Sequence, residues 1–465
     1  MAAGALIQDV TMSASRGFGR LFSHTSSRRP PTVRSGFSYH ALPSAFSRLS
    51  STSKNSALPP DGPLKGVKIL DFSRILAGPY CTQILADYGA DVIKVEQPHQ
   101  GDEARSWQGK GESAHWKPDA GPISFYFAAI NRNKRYVTLD LKKPEALQVV
   151  ETLVKEADVV VENFIPGGAD KLGIGYQALS KINPRHIYAS ISGYGSSGPY
   201  AKRAGYDAIA AAEGGLMHIT GHPDSGPVRP GLGMTDMSTG LYTHGAITAA
   251  LYSREKTGRG QHITASLFET QIALLINIGA NWLNMGREGQ RFGAAHPSIV
   301  PYNTWRCKDG IWLALGANND RQFRTFCQRI GREDLLEDER FATNASRVEH
   351  GAVMDGILDE LLGTKTSEEW MQELEGSGLA HGPVNTIKKA FEHKQTEARD
   401  MKQTMPWDAL ESGSWSAAGV PVKFSETKGA IRHRPAKLGE HTNDVLREAG
   451  YSEHEVRHMR DSGVV

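Results

Sequence analysis

Short apolar runs alternate with amphipathic stretches through most of this chain, the rhythm of strands and helices taken in turn. Residues 66–72 (GVKILDF) read as a buried strand. The AGP at 77–79 opens a helix that runs to about residue 88, with proline near its first turn. DVIKVE at 91–96 is a second strand and completes a βαβ unit. The same alternation predicts a strand at 136–140, a helix at 144–157, a strand at 158–164, a helix near 176–181 and a strand at 186–192. A helix rich in small residues is predicted over 239–253, then a strand at 261–265 and helical structure over 266–290. Strands alternating with helices imply a parallel sheet covered on both faces, hence an α/β fold.

The pattern changes after Tyr302. Residues 305–314 read as two short strands around Lys308-Asp309-Gly310, a turn signal. Helices are predicted at 321–330 and through 345–375. The 465 residues are too many for one compact core. We therefore expect a large domain over 61–290 and a smaller α+β domain over 300–395. A tail at 400–465 returns to the large domain.

Charge is distributed unevenly. Residues 1–60 hold seven Lys/Arg, one acid (Asp9) and thirteen serines. Removing that segment from the chain's 53 basic and 51 acidic residues leaves 46 against 50. The basic balance thus belongs to the leader, and no nucleic-acid partner is expected. An Arg- and Ser-rich, acid-poor start is the composition of a mitochondrial transit peptide, assigned to 1–55, with the matrix as destination. No run of 18 apolar residues occurs, so no membrane span is expected. Cys81, Cys307 and Cys327 are widely spaced and form no CxxC, which reads as buried free thiols. Histidines are scattered and HExxH is absent, so no metal site is expected.

The βαβ unit brings a nucleotide to mind, but the turn after Asp71 reads FSRILAGP and lacks the glycine fingerprint of dinucleotide sites. Arg74, Asn133, Lys134, Arg135, Asn163 and Lys171 are expected at strand ends or in the loops that follow them. As a set on one rim they favour an anionic, nucleotide-like ligand. One carboxylate, Asp236, lies among small residues in GLGMTDMSTG (231–240), where little side-chain bulk would obstruct a substrate. It is a candidate nucleophile.

These segments together resemble the class III (CaiB/BaiF) coenzyme A transferases. The likeness lies in residues 66–96, Asn133-Lys134-Arg135, LDLK at 139–142, Glu162-Asn163-Phe164, Gly205-Tyr206-Asp207, the Asp236 segment, KTGRGQ at 256–261 and LGEHT at 438–442. The resemblance implies a Rossmann-like large domain that binds CoA and an obligate homodimer of interlocked rings. It places the nucleophile on Asp236. CoA contacts fall on Arg74, Ile75, Leu76, Ala77, Leu139, Lys142, Asn163, Phe164, Lys171, Tyr206 and Asp207. Gln97 and Ala204 stand where some members carry Arg and Lys. No cofactor is held permanently; CoA and acyl-CoA are substrates.

Within such a family the residues favour transfer over racemisation. The related racemases place histidine at the position of Tyr206, and a tyrosine near its ordinary pKa of about 10 is a poor proton acceptor. A transferase needs only a carboxylate nucleophile, and backbone N–H groups in the glycine-flanked loops are expected to hold the oxyanions. The implied donor is succinyl-CoA and the acceptor a small dicarboxylic acid such as hydroxymethylglutarate or glutarate. Arg229, His296 and Ser298 are candidates to hold the acceptor's second carboxylate. Formyl/oxalate or carnitine transfer, racemisation and non-catalytic CoA binding are the alternatives.

Overall fold

The computed structural model describes residues 62–465; the 1–55 leader lies outside the described residues. Six parallel strands form the central sheet: β1 (Lys68–Asp71), β2 (Asp91–Glu96), β3 (Lys134–Thr138), β4 (Val159–Glu162), β5 (Ile187–Ser192) and β6 (His262–Ser266). Their order is β3-β2-β1-β4-β5-β6, so the direction of winding reverses between β1 and β4. Both faces are covered. On one, Leu70, Val137, Val149 and Val160 pack with Val445, Leu446 and Met459 from the C-terminal tail. On the other, Ile69, Val159 and Ala189 pack with Cys81 and Leu85 of the Ala77–Asp87 helix and Ile247 and Leu251 of the Met234–Thr257 helix.

The antiparallel part follows. β7 (Tyr302–Arg306) and β8 (Trp312–Gly316) form the expected hairpin, and β9 (Ala380–Pro383) adds a third strand. Its own core gathers Trp305, Leu313, Phe326, Leu358 and Trp370. A last hairpin, β10 (Lys402–Pro406) with β11 (Ser414–Ala418), carries Trp415 into a cluster with Trp407, Trp116, Phe127 and Tyr136. All three cysteines are buried and free.

Two expectations need correction, and the helical stretch 266–290 gains a break. The small-residue helix spans Met234–Thr257, starting five residues before the predicted 239. Its cap oxygen comes from a distant aspartate, so the start has no local capping signal. Residues 266–290 form two helices, Leu267–Ala273 and Ile276–Met285, with Ile276 at φ 34° where the second begins. Asn133 precedes β3 and Lys134 and Arg135 open it, so all three lie at the N-terminal edge of the sheet and not at the C-terminal strand ends expected, and all three are spent internally. Asn133 Nδ2 donates to Asp87 at 2.7 Å, Lys134 Nζ to Asp71 at 3.0 Å, and Arg135 pairs with Asp91 at 2.6 Å.

Candidate functional site

The loops after β1 and β4 meet where the winding reverses, the place at which open α/β sheets bind ligands. They are stitched together by one side chain. Asn163 accepts the Arg74 N–H at Oδ1 (2.8 Å) and donates from Nδ2 to the Arg74 carbonyl (2.8 Å). Ile75 follows in a left-handed conformation, φ 72°, which a β-branched residue rarely adopts. Its N–H is held by both carboxylate oxygens of buried Asp102, at 3.0 and 3.2 Å. The helix Ala77–Asp87 then begins with no side-chain cap. The Leu76 and Ala77 N–H groups have no hydrogen-bond acceptor among the described residues, and both residues line a cavity.

That cavity, of about 200 Å³, is walled by Arg74, Ile75, Leu76, Ala77, Asn163, Tyr206 and Asp236. Asp236 sits in the first turn of the Met234–Thr257 helix. The helix comes close because residue 240 is glycine: a Cβ there would stand 2.7 Å from the Ala77 carbonyl oxygen. Asp207, at the start of the Asp207–Glu213 helix, supplies the missing cap. Its Oδ1 accepts the N–H of Thr235 at 2.9 Å and of Asp236 at 3.1 Å. Those two donors are therefore unavailable to a substrate oxyanion, contrary to the expectation for the glycine-flanked loop; the uncapped Leu76–Ala77 turn offers donors instead. The Asp236 carboxylate itself has no hydrogen-bond partner among the described residues. Burial first, and then the charge of Asp207, push its carboxyl up to about 7.

A second cavity, about 510 Å³, adjoins the first through Arg74 and Glu103 and is lined by Leu139, Lys142 and Phe164. The structure thus gathers nine of the eleven predicted binding residues around two joined cavities: four from the β1 loop, two from the β4 loop, Leu139, Lys142 and Tyr206. Asp207 stands behind Asp236, and the exposed Lys171 ends the short Gly168–Lys171 helix without lining either cavity.

The acceptor candidates separate. Burial holds the Tyr126 phenol above its ordinary value; Asp236 and Asp207 push the same way and Arg229 acts against them. Arg229 thus lies within electrostatic reach of the phenol that feels Asp236. His296 and Ser298 are linked to each other, His296 Nδ1 accepting the Ser298 N–H at 3.1 Å, and the Ser298 backbone carbonyl accepts from Asn344 Nδ2 at 2.9 Å. Sequence reasoning missed Tyr126 and its edge-on neighbour Trp107, 5.4 Å between ring centroids. Both are large aromatics left partly exposed, and neither sits in a motif.

A family model described as CoA-transferase family III matches residues 64–442. An acyl-CoA transferase of Fusarium pseudograminearum is 49% identical over 410 residues, 88% of this chain and 90% of the relative. The human succinyl-CoA:glutarate CoA-transferase is 40% identical over 404 residues, 87% of this chain and 90% of its own. Among solved structures, a CAIB/BAIF family protein from Brucella suis matches with a TM-score of 0.74 at 40% identity, covering 84% of this chain and 100% of that one.

Proposed function

We infer the reaction from the premise that this chain belongs to CoA-transferase family III: it moves CoA from succinyl-CoA to a small dicarboxylic acid, with glutarate and hydroxymethylglutarate the first acceptors to test. The human relative's name supports this donor and acceptor. One observation carries the chemistry. Asp236 presents a carboxylate on the wall of a cavity also lined by Leu76 and Ala77, and neither that carboxylate nor the two N–H groups have a hydrogen-bond partner among the described residues.

Asp236 attacks the thioester carbonyl. The C–S bond breaks, CoA leaves as thiolate, and an aspartyl–acyl anhydride remains. The thiolate attacks the aspartyl carbonyl and releases the donor acid, leaving an aspartyl–CoA thioester. The acceptor carboxylate displaces CoA from that thioester, and the thiolate takes the new acyl group and frees Asp236. No net proton is consumed. The Leu76 and Ala77 N–H groups stabilise the oxyanions. Arg74 and Lys142 face the CoA phosphates, while Leu139 and Phe164 pack on its apolar parts; Asn163 and Tyr206 complete the wall. Lys171 meets CoA only at the rim.

Residues 61–290 and 400–465 form the CoA-binding large domain in this reading, with its Rossmann-like strand order, and 300–395 the small one. The chain acts as a homodimer. Ile276, Trp282, Leu283 and Met285 are each more than half exposed on one helix and offer a face for the partner; a monomer by light scattering at micromolar concentration would exclude it. Residues 1–55 direct the protein to the mitochondrial matrix. N-terminal sequencing of protein from purified mitochondria should find a start near residue 50, and an intact Met1 would count against import with cleavage.

The decisive assay mixes succinyl-CoA with a panel of acids. Exchange with longer dicarboxylates such as glutarate supports the assignment. Preference for oxalate or carnitine leaves only the transferase class, and α-proton exchange without acyl transfer would indicate a racemase. A carboxylate gripped by a cation gains roughly 1.5–3 kcal/mol, about ten- to a hundredfold. Arg229→Ala should therefore raise KM for dicarboxylates by that factor and leave monocarboxylates nearly unchanged. The paired change His296→Ala with Ser298→Ala should act in the same direction but more weakly. Equal effects on both acid classes would remove these residues from the acceptor site.

A further inference from the structure

Beneath the β1 loop lie four buried charges in two pairs, beside the equally buried Glu96–Arg105 pair, whose Glu96 accepts the Asp102 N–H at 3.0 Å. Lys134 pairs with Asp71 and Lys94 with Asp102, each at 3.0 Å, and all four side chains are fully enclosed. Lys94 Nζ also donates to the Ser73 carbonyl at 2.6 Å. Such pairs cost desolvation and contribute little net stability, so their placement calls for another explanation. Asp102 supplies one. One oxygen faces Lys94, both accept the Ile75 N–H, and Oδ1 also accepts the Ala104 N–H at 3.0 Å. The next residue, Glu103, takes the Arg74 guanidinium at 2.6 Å. The dipeptide 102–103 therefore grips the dipeptide 74–75.

We propose that the Lys94–Asp102 pair is a positioning device for acyl transfer: it holds Ile75 in its left-handed conformation so that the Leu76 and Ala77 N–H groups point into the cavity beside Asp236. This rests on the transferase assignment above. The chemistry follows from the backbone. An isoleucine at φ 72° is strained and tends to relax toward negative φ. That rotation at Ile75 would re-aim the two amides that follow it. A neutral acceptor would hold the N–H less firmly than a carboxylate kept ionised by a buried ammonium. Burial disfavours the charge on Asp102, but Lys94 and the Ile75 and Ala104 amides outweigh it and hold its carboxyl below the usual range.

The test is a mutant cycle on the full chain. Lys94→Met with Asp102→Leu removes both members of one pair and leaves Lys134–Asp71 balanced, so no buried charge is stranded. We expect kcat for succinyl-CoA exchange to fall about 10- to 100-fold, the factor set by the strain at residue 75, with the dissociation constant for CoA changing less. Ile75→Gly reaches φ 72° without strain. Added to the paired variant, it should bring kcat back to within about fivefold of Ile75→Gly alone. Hydrogen exchange in peptides covering 72–80 should quicken in the paired variant and not in the Met234–Thr257 helix. If the paired variant does not fold, Asp102→Asn takes its place in the same cycle. A full loss that persists with Ile75→Gly, or a paired variant as active as the parent, overturns the proposal. Absence of exchange in the parent protein with every acid overturns the transferase assignment instead.

Discussion

Asp236→Ala is expected to lower acyl exchange by about 10⁴-fold or more, the scale on which removal of a covalent nucleophile acts, while CoA still binds with nearly its original dissociation constant. The cavity wall otherwise survives: Arg74, Asn163 and Tyr206 are untouched, and Asp207 still caps the turn through backbone N–H groups that alanine retains. Substantial residual turnover would move the nucleophile elsewhere. The same variant should be the more stable protein at pH 8. The Asp236 carboxyl is raised to about 7 from an ordinary 3.8, by burial and then by Asp207. Between those values the native chain binds a proton that the unfolded chain has released. Stability therefore falls as pH rises through that window, and the ionised group destabilises the fold by about 2–4 kcal/mol above it. Alanine removes that term. Melting curves of the two proteins should lie furthest apart at pH 8 and converge toward pH 4; separation that grows toward acid would refute the assignment of the shift.

Legibility in the sequence followed the range of the interactions. The strands of the central sheet are continuous apolar runs such as Val159-Val160-Val161, buried on both faces, and period and length alone recover them. The β7–β8 hairpin is announced by its own turn, Lys308-Asp309-Gly310. Asp236 stood out because its neighbours are small. Nothing local tells that Asp207 caps a helix 28 residues onward, so the local pattern sets the start of that helix too late. Nor does Asp102 carry any sign of the Ile75 amide it holds. Lys134 looks like a rim cation until the fold buries it against Asp71, where burial lowers its ammonium to about 8 despite that partner. Tyr126, whose phenol feels the charge of Asp236, and its neighbour Trp107 belong to a segment of 3₁₀ turns and one short helix, without motif or period. What the sequence hides depends on long-range contacts; what it shows is carried by local pattern or adjacent residues.

Asp207 separates capping from charge, and two substitutions divide them. Asp207→Ala removes the acceptor for the Thr235 and Asp236 N–H groups. A lost cap costs about 1 kcal/mol of stability. Displacement of the nucleophile by a fraction of an ångström should cost far more in rate, about 100-fold in kcat/KM. Asp207→Asn keeps an oxygen acceptor in the same place and removes only the negative charge. The nucleophile acts as a carboxylate, so kcat/KM for succinyl-CoA in the parent protein should fall with unit slope as pH drops below about 7, the value to which Asp236 is raised. Burial is the larger cause of that rise and remains in the asparagine variant; the repulsion from Asp207 is lost. The acid limb should therefore move down, but not as far as the ordinary carboxylate range. At pH 8, where Asp236 is ionised in both proteins, the asparagine variant should keep most of its activity. Near pH 6 its deficit should shrink or reverse, because a larger fraction of Asp236 is ionised. A limb that stays in place would show that Asp207 acts on Asp236 only through the backbone, and equal losses for alanine and asparagine would show that the cap's oxygen is not what positions the nucleophile.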